Sequence, residues 1–376
     1  MRNILAFSVS IILLAFSACK KKPVDTKIPP ENRHFLMGFT PFPYDITQQA
    51  VDDTYQNIVN DGDIVLIHFD NGVPWNEALN DLPFPSNVQY DINMAQVKVP
   101  GNHKIFLTTT PNHIDRETLA HYWNTNGTQQ PLPAPWNSYS FNHPDVITAY
   151  IKYCKRLIDA IHPDYFAYGI EVNGGLKENT QNYNDFMILA DTVYNRLKQD
   201  YPHLPIMMTF QDQSYNKTKN EVLHITRNLL SYSDYMAVST YPFWLYYQNN
   251  SNSNPDNIPS NWLSEMKDID PQKPFVVSET GYIAEDLVIP AYQVNIQGKP
   301  DWQKTYTQKL CRKAQDLNAV FVCWFIYQDY DLMYQHFTNP PPYFLVWKDN
   351  GMRDGTGQAR PALSIWRNWL HKKYIP

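Results

Sequence analysis

The chain has 376 residues, enough for one large domain or two small ones, and 14% of them are aromatic. Its formal net charge of −6 is spread without long runs, which excludes a basic nucleic-acid footprint. Cys19, Cys154, Cys311 and Cys323 show no Cys-x-x-Cys spacing. They therefore suit neither a disulfide framework nor a zinc site, and the last three read as buried thiols.

The N-terminus reads as a targeting segment. Arg2 is followed by an apolar run, Ile4 to Phe16, and then by Ser17-Ala18-Cys19. This resembles a bacterial lipoprotein signal, with Phe16 a departure from the usual small or aliphatic residue. The resemblance implies cleavage before Cys19, lipidation of its thiol and a place at the cell envelope. An ordinary secretory peptide is the alternative. Residues 1–19 are thus assigned to a signal and 20–34 to a charged, proline-bearing tether.

From residue 35 onward apolar runs alternate with helical patterns. Phe35 to Thr40 is the first strand, and Asp45 is the expected N-cap of the helix after it, with Gln48 three residues on. Asp63 to Asp70 and Lys104 to Pro111 are the second and third. Pro144 opens a helix whose stripe is Tyr150, Ile151, Cys154, Leu157, Ile158 and Ile161. The fourth strand, Tyr165 to Ile170, runs out into Glu171. Pro205 to Gln211 and Tyr235 to Tyr241 are the fifth and sixth. Phe275-Val276-Val277-Ser278 is the seventh and ends at Glu279, and Ala319 to Phe325 is the eighth.

Eight strands with helices between them predict a (β/α)8 barrel over residues 35–376. Continuous apolar runs fit strands covered on both faces. The turn after the first strand, Pro41-Phe42-Pro43-Tyr44, offers few free N–H groups and so disfavours a phosphate-binding sheet. Three connections are long, 112–141, 242–262 and 327–361, and all follow strand ends on the face where barrels place their sites. They carry Trp123, Trp136, Trp244, Tyr246, Tyr247, Tyr330 and Trp347, rings that either platform a sugar or pack on one another.

Two carboxylates at strand ends four and seven are the equipment of a glycosidase. Glu171, together with Ser278-Glu279-Thr280-Gly281-Tyr282, resembles clan A of the glycoside hydrolases. Within the clan, Glu279-Thr280-Gly281-Tyr282 most resembles family 53, the endo-β-1,4-galactanases. The resemblance implies Glu171 as general acid/base, Glu279 as nucleophile, Tyr241 as donor to the nucleophile and Trp324 as the subsite floor. It also implies a raised pKa on Glu171, with Glu279 ionised. Two departures stand out: Ile170 replaces the clan's asparagine before the acid/base, and the strand-two end lacks its basic residue. Asn173 is the candidate replacement for the first and His68 for the second. Asp70, Trp75, Gln211 and Trp244 complete the expected substrate-binding set.

The expected activity is retaining hydrolysis of a β-linked poly- or oligosaccharide by a monomer with no cofactor. The alternatives are a catalytically inactive glycan-binding barrel and an exo-acting clan member. Asp329 and Asp331 hint at calcium, but such spacing more often caps a turn, so no metal is expected.

Overall fold

The computed structural model describes residues 31–214, 216–245 and 252–376. The expectations for the signal segment, Cys19, most of the tether, Tyr246 and Tyr247 lie outside the described residues.

The strands are β1 (Leu36–Phe39), β2 (Ile64–Phe69), β3 (Lys104–Thr109), β4 (Tyr165–Ala167), β5 (Ile206–Met207 and Thr209–Gln211), β6 (Met236–Thr240), β7 (Phe275–Thr280) and β8 (Ala319–Trp324). All neighbours pair in parallel, and β8 pairs with β1. The ring closes through β5, which is interrupted at Met208. Its first half pairs with β4 and its second with β6. The expected (β/α)8 barrel is therefore the observed fold.

The barrel interior is an apolar plug of Leu36, Ile64, Leu66, Phe106, Ala167, Met207, Ala237, Val276, Phe321 and Cys323. Strand side chains alternate between faces, so the same rows continue upward two residues at a time. Ile64 and Leu66 lead to His68 and Asp70, and Ala237 leads to Ser239 and Tyr241. The interior thus changes from apolar at its base to polar at its C-terminal mouth. Gly38 is required where β1 meets β2, because a Cβ there would fall 1.8 Å from the Ile64 carbonyl oxygen.

Helices cover the outside for reasons visible locally. Pro144–Ile161 starts at proline, with the His143 ring accepting from the Asp145 N–H, and buries Ala149, Tyr150, Tyr153, Cys154, Leu157 and Ile158. Lys219–Leu229 carries a reciprocal cap between Thr218 and Glu221. The helix after β1 is capped by Thr47, whose side chain accepts from Ala50 N, rather than by Asp45. Ser86–Lys98, between Pro85 and Pro100, was not expected as a helix. It buries only Val88, Ile92 and Ala95, a stripe too thin to read against its polar residues.

The fold begins three residues before the expected boundary. Asn32–Arg33 pairs in parallel with Lys373–Tyr374, and the buried Arg33 guanidinium bonds Asp63 at 2.8 Å and the Phe35 carbonyl at 2.7 Å. Residues 32–34, read as tether, therefore belong to the barrel. Cys154, Cys311 and Cys323 are buried free thiols, as expected.

Candidate active site

Glu279 reaches the mouth through a β-bulge. Val238 pairs with Val277, but Ser239 pairs with Glu279, so Ser278 is an extra residue on β7. Val276 points inward, and strict alternation would turn Glu279 toward the helices. The added residue reverses that phase, as bulges beside active sites do. Thr280 then faces outward and meets the Tyr306 hydroxyl. Glu171 lies beyond β4 with φ of +50° and keeps the inward row of Ala167. Its N–H donates to Thr209 Oγ1 at 2.8 Å.

Each carboxylate has its own donors. The Tyr241 hydroxyl donates to Glu279 Oε1 at 2.5 Å. His68 Nδ1 stands 3.7 Å from Glu279 Oε2 and 3.0 Å from Thr108 Oγ1. Ser239 Oγ donates to Glu171 Oε1 at 2.6 Å, and Gln211 Nε2 to Glu171 Oε2 at 3.0 Å. Arg116 clamps Asp70 with two bonds, 3.0 and 2.7 Å, and lies 3.5 Å from Glu171 Oε2.

Burial and the facing Glu171 carboxylate push the Glu279 pKa up to about 8, against the pull of Tyr241 and Arg116. The Glu171 charge is thus one of the causes that hold a proton on Glu279. The expectation that Glu279 is ionised is not met: burial and the facing carboxylate favour its neutral form near pH 7. Burial lowers the His68 pKa, so its imidazole is neutral near pH 7.

Among the expected substrate-binding residues, His68, Asp70, Gln211 and Tyr241 gather here with the two glutamates. The other four do not. Trp324 is fully buried, donates to the Asn350 carbonyl at 2.9 Å and packs on Tyr306 and Trp366. It follows inward-facing Cys323 and so points out of the barrel. The ring that reaches the mouth is Phe325, packed against Phe42, Tyr330 and Trp347. Trp75 is fully buried on Trp136, with its N–H on the Ala120 carbonyl. Asn173 is fully buried, with its amide spent on Gln211 and Thr226. It cannot stand in for the missing asparagine, and Ile170 is buried as well. Trp244 is half-buried and packs on the core.

Sequence reasoning missed Arg116 and Ser239. Ser239 was findable, because it continues the inward row of β6. Arg116 was not, because it lies inside a connection that follows β3 and folds back through an Asn112–Leu119 bridge. The same connection buries Trp123 and Trp136 in the core, so these rings pack inward instead of lining a cleft.

The acidic residues that come closest together elsewhere are Glu285, Asp329 and Asp349, not Asp329 with Asp331. Arg360 pairs with Glu285 at 2.5 Å and Asp329 at 2.6 Å, and Lys348 pairs with Asp349 at 2.5 Å. Each of the three carboxylates is thus already paired with a side-chain cation.

No protein-family model and no curated protein matches the chain. Solved structures do. A GH5_18 protein from Bifidobacterium longum subsp. longum ATCC 55813, in complex with Manβ1-4GlcNAc, matches with a TM-score of 0.63 at 12% identity over 91% of this chain and 80% of that one. The exo-β-1,4-mannosidase Op5Man5 from Opitutaceae bacterium strain TAV5 matches at 0.61 and 10% identity over 90% and 59%. A β-D-glucuronidase from Dictyoglomus thermophilum matches at 0.53 and 13% identity over 92% and 51%. At such identities the likeness establishes the barrel fold. These neighbours are clan A barrels, and the narrower family 53 likeness finds no support in them.

Proposed function

We propose that the protein is a retaining glycoside hydrolase acting on a β-linked saccharide. The observation that carries this reading is the pair of recessed carboxylates, Glu171 and Glu279, at opposed strand ends of one polar mouth. Each is fixed by its own donors, and each influences the other's charge. An aligned acidic pair costs folding free energy through mutual repulsion and desolvation, which simple glycan binding would not require.

In this mechanism a Glu279 oxygen attacks the anomeric carbon while Glu171 gives its proton to the departing glycosidic oxygen. Water then attacks the glycosyl ester and passes a proton back to Glu171, releasing Glu279 as carboxylate. Before the first step, the proton on Glu279 must pass to Glu171. Approach of the basic glycosidic oxygen favours that placement. Phe325, with Phe42 and Trp347 beside it, offers the apolar wall for the sugar ring.

The test uses Glu279→Gln and Glu171→Gln with aryl β-galactosides, β-mannosides and β-glucosides. Both variants are expected to lose turnover while keeping their fold. Azide should restore activity to Glu171→Gln with a retained glycosyl azide product. Turnover by Glu279→Gln at the parent rate would end the assignment.

A binding-only barrel is the second reading, favoured by Ile170 and by the internal use of Asn173. Heat of binding to a glycan without any released reducing end would support it. Exo action on short oligosaccharides is the form of the enzyme suggested by the mannosidase neighbours, in place of endo-galactanase action. We further propose that Cys19 carries a lipid at the bacterial cell envelope. Mass spectrometry of the mature N-terminus checks this, and an unlipidated cytosolic protein would overturn it.

A further inference from the structure

Arg116 is the cation closest to the proposed chemistry, and its bonding is directed inward. Both terminal nitrogens bond Asp70, one of them also approaching Glu171, and its Nε is buried without a hydrogen-bond partner. The side chain is 9% exposed, against 17% for Asp70 and 14% for Glu171. Its backbone φ is +57°, within the turn where its N–H bonds the His113 carbonyl and its own carbonyl receives the Asn112 amide. Gly175 packs beneath this turn, where a Cβ would meet the Asp115 carbonyl oxygen at 2.3 Å. The loop is therefore built to hold this guanidinium in one place.

We propose that Arg116, oriented by Asp70, is a positioning residue for Glu171 and is not a receptor for a charged group on the substrate. The inference rests on the retaining reading for the role of Glu171, but the ion-pair geometry stands apart from it. A bidentate arginine–carboxylate pair fixes the plane and the distance of the guanidinium. Its free edge then sets the rotamer of Glu171 alongside Ser239 and Gln211. A positive charge at this point also lowers the proton affinity of the carboxylate pair, while Asp70 raises it. With both terminal nitrogens bonded to Asp70, the guanidinium is directed at the carboxylates of the site rather than outward.

The other titratable groups facing the pair are His68 from β2, Tyr241 from β6, Asp212 beyond β5, Cys323 from β8 and Tyr330 beyond it. His113 and Tyr343 feel the charge of Asp70. None of these is a cation near pH 7, whereas Arg116 is a cation in direct contact with Glu171.

The experiment is a carbon-13 carboxyl NMR titration of the full chain, with Glu171→Gln used for assignment. Arg116→Gln is expected to move the upper titration of the pair upward by about one unit. Asp70→Asn is expected to move it downward, because one negative charge is removed while the cation stays. Opposite signs cannot arise from general loosening of the site. Arg116→Lys should fall between parent and Arg116→Gln, and it carries the test with Asp70→Asn if Arg116→Gln does not fold. On a neutral aryl β-glycoside, Arg116→Gln should lower kcat about 10²-fold with KM nearly unchanged. An unmoved titration, or a higher KM at full kcat for a β-glucuronide, would overturn the proposal. If the parent protein hydrolyses no β-glycoside, the retaining reading falls, and the titration still decides the role of Arg116.

Discussion

The Tyr241 hydroxyl sits 2.5 Å from Glu279 Oε1, and the two residues arrive from neighbouring strands in different ways. Tyr241 continues the inward row of β6, while Glu279 is brought round by the bulge at Ser278. Tyr241→Phe removes the one donor that lowers the proton affinity of Glu279, so that affinity rises further. The expected result is a fall in kcat/KM of about 10²-fold, the loss typical of removing one aimed donor. Steady-state kinetics with a thermal midpoint as control would check it, and an unchanged kcat/KM would assign the hydroxyl a purely structural bond.

The pH dependence follows from the proton on Glu279. The Glu279 pKa is pushed up to about 8, above its ordinary 4.5. The pair contributes its general acid below that value and loses it above, so kcat/KM should fall on the alkaline side with a midpoint near 8. Stability moves in the same sense. A carboxyl whose folded pKa is raised stabilises fully below its unfolded value and loses that contribution as pH climbs through the folded value. Glu279→Gln, which stays neutral, should therefore gain in thermal midpoint over the parent as pH rises from 5 to 9. The predicted gain is several degrees at pH 9 and close to none at pH 5. Parallel melting curves for the two proteins across that range would contradict the account.

The alternation of β8 separates two adjacent aromatics by role. Trp324 faces the helices and is fully buried, while Phe325 faces the mouth. Trp324→Ala should destabilise by about 3–5 kcal/mol, as large core truncations do. Phe325→Ala should leave the thermal midpoint nearly unchanged and raise KM for the sugar several-fold. Kinetics and melting of the two variants, side by side, are the check. The reverse pattern would return the platform to Trp324.

How far the sequence was readable follows from the same geometry. Strand runs and strand-end glutamates were visible because burial on both faces writes a continuous apolar signature. Which way a given side chain points was not visible for Trp324, since a shift of one residue exchanges mouth for helix layer. The bulge that rescues Glu279 has no sequence mark beyond a small residue, Ser278. Arg116 was hidden because an ion pair between Asp70 and a residue 46 positions later leaves no periodic trace. Trp75 and Asn173 were misplaced because polar and aromatic residues near a mouth can be spent on holding the loops themselves.

Asp61 shows what holds the barrel shut behind the site. It follows the first helix, is 4% exposed, and accepts from Tyr327 at 2.6 Å and from Arg367 at 2.7 and 2.8 Å. Its carbonyl accepts from the Trp366 indole at 2.8 Å. One carboxylate thus ties the first helix to the last and to the start of the connection after β8. Asp61→Ala leaves a buried tyrosine hydroxyl and an arginine without their acceptor, at a cost of about 3–5 kcal/mol. At roughly 2–4 °C per kcal/mol, the thermal midpoint should drop by about 10 °C. Because no atom of Asp61 faces the mouth, kcat measured well below the new midpoint should stay near the parent value. Calorimetry and kinetics on the same sample would decide. A large loss of kcat without a lowered midpoint would mean that Tyr327, through Asp61, positions the catalytic groups and not only the closing helix.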